Sequence, residues 1–263
     1  MKDCLLRLLQ HPLTRGMDVD DPHTTNQRRI IIQSKPFLKK IYQEWYRRIE
    51  EHIPPGEGYV VELGSGAGFM KECIPEVITT DVLAVEGVDW QLSPDGQLPV
   101  PDQSLRAIVM TDVLHHINEP RRFFTEAKRV VRPGGAIIMV EPWVTTWSSF
   151  IYRQLHSEPF LPEAKEWEFP CQGPLSGANG ALPWILFHRD RDRFEREFPE
   201  WKIMNIEPMM PFVYLLSGGV SMRSFAPAWL YEFFRTCERG LVHLKCRPAM
   251  FAVCTLSRTM SVS

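Results

Sequence analysis

Two carboxylates and a run of glycines are the residues best suited to chemistry. Glu62 sits near the end of a short apolar run, Val60-Val61-Glu62-Leu63, and the chain then turns through Gly64-Ser65-Gly66-Ala67-Gly68. Glycines at such a turn let the backbone approach a ligand closely. The spacing is GxGxG. The dinucleotide fingerprint carries its third glycine one position later and offers a helix N-terminus to a pyrophosphate. Glu62 puts negative charge beside the loop, which suits a cationic ligand better than a phosphate. Asp81 ends the next β-rich run, where a carboxylate can accept hydrogen bonds from both hydroxyls of a ribose. Loop and aspartate together describe an edge that binds a nucleoside.

The elements that must position these residues alternate. Phe37, Leu38, Ile41, Tyr42, Trp45, Ile49 and Ile53 recur at helical spacing after Ser34 and Pro36, and Pro54-Pro55-Gly56 ends that helix. Short β-rich runs follow at 59–63, 77–80, 88–92, 107–111 and 136–140, and later at 201–207 and 249–256. Between the fourth and fifth runs, Pro120 to Val131 reads as an amphipathic helix, capped by Asn118 and ended by Pro133-Gly134-Gly135. Arg189 to Phe198 reads as another. Residues 11–27 are polar and read as irregular. Such alternation predicts a parallel sheet with helices on both faces, an α/β fold.

In that fold the strand ends facing the cleft also present candidate bases. These are His115, His116 and Glu141, with His156 and Glu158 if the segment after the fifth strand folds over the cleft. The plainer reading has one histidine packing beside a bound cofactor and the other capping a helix, and leaves Glu141 to substrate or lid. Adjacent histidines rarely share one ion, and no third ligand stands at a suitable spacing, so no metal site is expected.

The chain has 263 residues, 22 of them proline, and a formal net charge of -2, so no overall basic field draws nucleic acid or anionic lipid. The prolines fall at element ends and in 142–187, a stretch rich in Trp and Phe that reads as a substrate lid. A second apolar insertion, Met209 to Leu244, suits core packing, an apolar pocket, a peripheral membrane contact or a homodimer face. Arg223, Arg235 and Arg239 within it leave room for a phosphate or carboxylate contact, although scattered arginines are usually solvated. No run approaches the length of a membrane span. Cys4, Cys73, Cys171, Cys237, Cys246 and Cys254 form no CxxC pair, which suits reduced thiols and a cytoplasmic location.

Four segments, in order, resemble the class I S-adenosylmethionine-dependent methyltransferases, in particular the broad small-molecule group that includes the ubiquinone/menaquinone C-methyltransferases. Val60 to Gly68 is similar to the family's first motif, and Thr80-Asp81-Val82 to its acidic strand end. Leu98-Pro99-Val100-Pro101-Asp102-Gln103-Ser104-Leu105 resembles its "LPFxDxSF" stretch. Val109 to Ile117, with His115-His116, followed by Val131-Arg132-Pro133-Gly134-Gly135, resembles "LHH…LKPGG". The chain departs in carrying Arg106 where the family has aspartate. Its nearest acid to the family's adenine-contacting "DA", Asp95, is one position out of register.

The resemblance covers about 57–142 and implies a Rossmann-like, doubly wound, seven-stranded, mostly parallel sheet with an antiparallel C-terminal strand. It implies an N-terminal helical segment at 1–56 and lid insertions with the last strands at 143–263. It implies S-adenosyl-L-methionine as cofactor and S-adenosyl-L-homocysteine as product. Cofactor binding would fall to Glu62, Gly64, Ser65, Gly66, Gly68, Asp81, Val82, Asp95, Asp112 and Val113, and catalysis to His116, His115 and Glu141. The acceptor would be a small molecule, with amphiphilic, sugar-derived and lipid-linked types open. A non-catalytic module of the same fold is the alternative, and a nicotinamide-dependent reductase is disfavoured by the glycine spacing. Thr111-Asp112-Val113-Leu114 stands where base methyltransferases carry Asn/Asp-Pro-Pro-aromatic, which argues against a nucleic-acid substrate.

Overall fold

A computed structural model of the chain describes residues 11–12, 20–93, 96–155, 158–170, 173, 177–241 and 248–260. Two helices lead, α1 (Pro22–Ser34) and α2 (Pro36–Glu50). The sheet then begins with β1 (Tyr59–Leu63), the single turn α3 (Met70–Cys73), β2 (Val77–Asp81) and β3 (Trp90–Gln91). β4 (Leu105–Thr111), α4 (Pro120–Val130) and β5 (Val131–Pro142) follow, then α5 (Thr146–Leu155), α6 (Arg191–Glu197), β6 (Trp201–Met209), α7 (Val213–Ser217), α8 (Tyr231–Gly240) and β7 (Phe251–Arg258).

The seven strands lie in the order β3-β2-β1-β4-β5-β7-β6. β1 to β5 pair in parallel, and β7 runs antiparallel between β5 and β6. The chain builds outward from β1 in one direction through β2 and in the other through β4. Ligands of doubly wound sheets bind at such a switch point, at the carboxyl ends of the strands. Glu62, Asp81, Asp112 and Glu141 all stand at those ends, in or just after β1, β2, β4 and β5.

The central strands are apolar on both faces because helices cover both. Ala107–Met110 and Ile137–Val140 are fully buried. On one side α2 turns in Phe37, Leu38, Ile41, Trp45, Tyr46 and Ile49. On the other, Phe124 of α4 meets Phe187, Phe194 and Phe198 largely edge-on, with ring centroids 4.9 to 6.2 Å apart.

Several local expectations differ from what is seen. The stretch read as irregular holds the first half of α1, whose first turn is set by Pro22 and by Asp21, which accepts a hydrogen bond from the His23 amide. Its apolar residues, Ile30 to Ile32, gather at one end, so no helical period shows. Asn118 does not cap α4; Glu119 takes the cap position without a side-chain bond. Pro133-Gly134-Gly135 lies inside β5, not after the helix. Pairing jumps there from Leu105–Val131 to Ala107–Ala136, and Gly134 takes φ +76°.

Arg235 is not solvated. It is buried between Glu44 of α2 and Glu238. Much of the expected lid is core, with Trp143, Tyr152, Trp167 and Phe187 buried, whereas Trp229 and Phe233 of the second insertion are exposed. Cys73, Cys237 and Cys254 are free thiols, and the other three cysteines lie outside the described residues. No helix among the described residues is long and apolar enough to cross a membrane.

Candidate active site

The glycine loop is held from below by its own strand ends. The Ser65 amide donates to the Thr80 carbonyl (2.9 Å), and the Ser65 hydroxyl donates to Glu62 Oε2 (2.6 Å). Asp81 accepts the Gly66 amide at Oδ2 (2.9 Å) and the Leu83 amide at Oδ1 (2.8 Å). Gly64 has φ +64°, and a Cβ there would stand 2.6 Å from Val113 Cγ2. A Cβ at Gly68 would stand 2.8 Å from the Tyr46 hydroxyl, which itself accepts the Phe69 amide (3.1 Å). Close approach therefore requires both glycines, and Gly64 is required by its conformation as well.

Electrostatics favour a cation here. Burial, with help from nearby Asp81, pushes the Glu62 carboxyl up to about 7 against the opposing Ser65 hydrogen bond. Burial likewise raises Asp81, although the Leu83 and Gly66 amides work against it. A cationic ligand would relieve both. Sequence reasoning missed the cover: α1 lays Thr25 against Gly66, and Arg29 donates to the Gly66 carbonyl (2.7 Å) and the Glu86 carbonyl (2.6 Å). One arginine of the Arg28-Arg29 pair on a polar helix carries no sequence signal for such a role.

The second half of the site follows β4. Asp112 has φ +63°, uncommon for a residue with a side chain. This bend turns the chain into the short 3-10 turn Leu114–His116. The fully buried Glu141 organises that turn: its Oε1 accepts the amides of Val113 (2.9 Å) and Leu114 (2.7 Å), and its Oε2 meets His115 Nδ1 at 2.8 Å. Glu158 approaches His115 Nε2 at 3.6 Å and His116 Nε2 at 3.9 Å. Burial alone would lower His115, but its hydrogen bond to Glu141 and the nearby Glu158 carboxylate raise it well above the usual imidazole value. Burial and the charge on His115 lower His116 to about 4. A pocket beside this pair is walled by Tyr152, Phe160, Tyr214 and Phe251, with Asp112, His115 and Glu158 on its polar side.

Of the expected site residues, Glu62, the loop glycines, Ser65, Asp81, Asp112 and Val113 converge at the strand ends, and Val82 directly follows Asp81 in the chain. His115, His116 and Glu141 come together with Glu158. Asp95 and His156 lie outside the described residues. Arg106 is remote from the cleft, bonded to the Gly56 carbonyl and Glu76.

Residues 61–139 match the family model described as a methyltransferase domain. The chain contains a class I S-adenosylmethionine-dependent methyltransferase domain. The match runs from β1 through β5, the segment that carries the loop, Asp81 and His115.

The chain is 34% identical over 106 residues to an arsenite methyltransferase of Halobacterium salinarum, covering 32% of this chain and 27% of that protein. It is 23% identical over 147 residues to a ubiquinone/menaquinone biosynthesis C-methyltransferase of Desulfotalea psychrophila, covering 49% and 60%. The chain thus matches less than two thirds of the length of these curated relatives. In fold it is similar to a SAM-dependent methyltransferase of Thermotoga maritima, described as a possible histamine N-methyltransferase. The TM-score is 0.53 at 14% identity, covering 89% of this chain and 99% of that one.

The glycine cradle and its carboxylates fit S-adenosylmethionine, whose nucleoside and cationic amino-acid end match a buried diol acceptor and a buried anion.

Proposed function

We infer that the chain transfers a methyl group from S-adenosylmethionine to a small amphiphilic acceptor seated against His115, His116 and Glu158. The observation that carries this reading is the joint hold on the glycine loop, with the Gly66 amide bonded to Asp81 and Ser65 bonded to Glu62. S-Adenosylmethionine supplies a methyl group activated by its sulfonium, so the protein's contribution is chiefly orientation. Each Asp81 oxygen takes one backbone amide and keeps acceptor capacity for a ribose hydroxyl. Glu62 offers buried negative charge to the ammonium end.

On the acceptor side, Tyr152, Phe160 and Tyr214 supply apolar walls, and His115, Asp112 and Glu158 supply polar contacts. These walls suit a molecule with a flat apolar body and one protic group. Quinone methylation by curated relatives of the domain supports that class. His115, whose carboxylate neighbours favour its protonated form, is suited to donate to the acceptor's polar atom, and neutral His116 to take a proton from it. Glu141 touches neither partner and acts as a positioning residue.

The Glu62 reading has a pH signature. Its carboxyl sits at about 7 against an ordinary 4.5. Its contribution to the ligand-free fold is therefore fully present below the ordinary value and is lost as pH rises through about 7. Cofactor binding has the opposite need, a charged Glu62. Affinity for S-adenosylhomocysteine should rise by up to about tenfold per pH unit below that point and level off above it. Asp81, Arg29 and Tyr46 also face Glu62, so the discriminating control is Glu62→Gln. Calorimetry should give weaker binding and a flatter profile for that variant. A wild-type profile that is flat from acid to neutral pH contradicts the assignment.

A further inference from the structure

His115 and His116 are neighbours in a 3-10 turn, yet their rings lie 4.3 Å apart, tilted by 40°. Each ring is held through Nδ1: His115 by Glu141 Oε2 at 2.8 Å, His116 by the Gly177 carbonyl at 3.2 Å. Both Nε2 atoms are thereby aimed at one oxygen, Glu158 Oε2, at 3.6 and 3.9 Å. These separations are too long for good hydrogen bonds. Two donors each about 2.1 Å from one ion at a tetrahedral angle stand about 3.4 Å apart. The two distances to Glu158 are close to that spacing, and donor atoms of all three residues lie within 4.8 Å of one another.

We propose that His115 Nε2, His116 Nε2 and Glu158 form a binding site for a divalent cation of the Zn²⁺ class. The outer contacts support it. A carboxylate or carbonyl on the far nitrogen fixes the tautomer and direction of a ligating histidine and strengthens it as a donor. Here both histidines have one, and Glu141 is itself locked by the Val113 and Leu114 amides. Asp112 Oδ1 lies 4.0 Å from His115 Nδ1, so three carboxylates gather about the pair and favour a cation. A simple ion pair between His115 and its carboxylates accounts for His115 but not for the aim of His116.

Three protein donors leave a position open, as in sites where a metal holds substrate, and it faces the pocket walled by Tyr152, Phe160 and Tyr214. The spacing along the chain hid the third ligand, since Glu158 lies far beyond the histidines and reaches them only through the fold. The site deepens the reading of an acceptor pocket: with the ion bound, both rings hold the cation rather than the acceptor's proton. It stands on side chains outside the glycine loop, so the two readings fail separately.

The test uses the full chain, stripped with a chelator and titrated with Zn²⁺ by calorimetry and with Co²⁺ by absorbance. One Zn²⁺ per chain and a visible d–d band of tetrahedral intensity for Co²⁺ are expected. His116→Gln and Glu158→Gln should each weaken binding at least about tenfold, and Glu141→Gln by about 10- to 100-fold through His115. S-Adenosylhomocysteine titrations run in parallel report folding and the cofactor site. A chain that binds S-adenosylhomocysteine but takes up neither metal overturns the site, as does metal binding unchanged in both ligand variants. Metal binding that these variants weaken, in a chain that ignores S-adenosylhomocysteine, supports the site and counts against the cofactor reading.

Discussion

Replacing Asp81 by asparagine should lower affinity for S-adenosylhomocysteine by about 30-fold or more while leaving a folded chain. The side chain is buried and bridges the Gly66 amide of the loop to the Leu83 amide beyond β2. Asparagine keeps one accepting oxygen, but its NH₂ meets whichever backbone amide the second oxygen served. One charge-assisted bond to a ribose hydroxyl is lost and the other weakened. Hydrogen bonds to charged groups contribute about 1.5 to 3 kcal/mol each, so losing more than one such interaction accounts for the factor. Calorimetry of the variant beside the wild type checks it, with the circular dichroism melt as control. Unchanged affinity would mean that the nucleoside does not lie on this edge.

The second large effect is on stability. Glu44→Ala should lower stability by about 3 to 5 kcal/mol, because it removes one partner of a buried ion pair and leaves charge uncompensated. For a chain of this size that amounts to a melting shift of roughly 10 °C. Glu44 takes the Arg235 guanidinium through both oxygens and also accepts the Tyr231 hydroxyl at 2.6 Å. Arg235 in turn meets Glu238, whose Oε1 accepts the amides of Phe212 and Val213, both at 2.7 Å. Those amides open α7, which carries Tyr214 to the acceptor pocket, where it packs on Trp45 and Phe251. The loss should therefore reach the site as well, raising KM for the acceptor more than the Kd for S-adenosylhomocysteine. Thermal denaturation and paired binding measurements separate the two effects. A melt within about 2 °C of wild type would show that the pair is solvated after all.

The contrast between Asp81 and Glu44 shows what a sequence of this kind makes legible. Glu62, the glycines and Asp81 are close in the chain, and the turn that joins them requires particular residue types, so spacing alone exposes the cofactor edge. The seven strands were also readable as short β-rich runs, with β3 seen as longer than it is. Glu141 is different. It meets His115 because β4 and β5 pair in parallel with Thr111 opposite Val140, which sets the residues after those positions side by side. Membership of the cleft was visible from strand ends, but the contact is a consequence of register. Glu158, Tyr152 and Tyr214 depend on how the segments after β5 pack, and no local period encodes that. Arg235 looked solvated because its two carboxylate partners come from different parts of the chain, one on α2 and one a turn further along α8.

The most direct test of the central claim is a calorimetric titration of the full chain with S-adenosylhomocysteine near neutral pH. Binding at one site per chain with micromolar or tighter affinity is predicted. It should be abolished by Gly66→Arg, whose side chain would have to grow past Asp81 Oδ2 and Thr25 Cγ2, each 3.3 Å from the Cβ position. A folded wild-type chain that gives neither binding heat nor a thermal shift with S-adenosylhomocysteine would contradict the account.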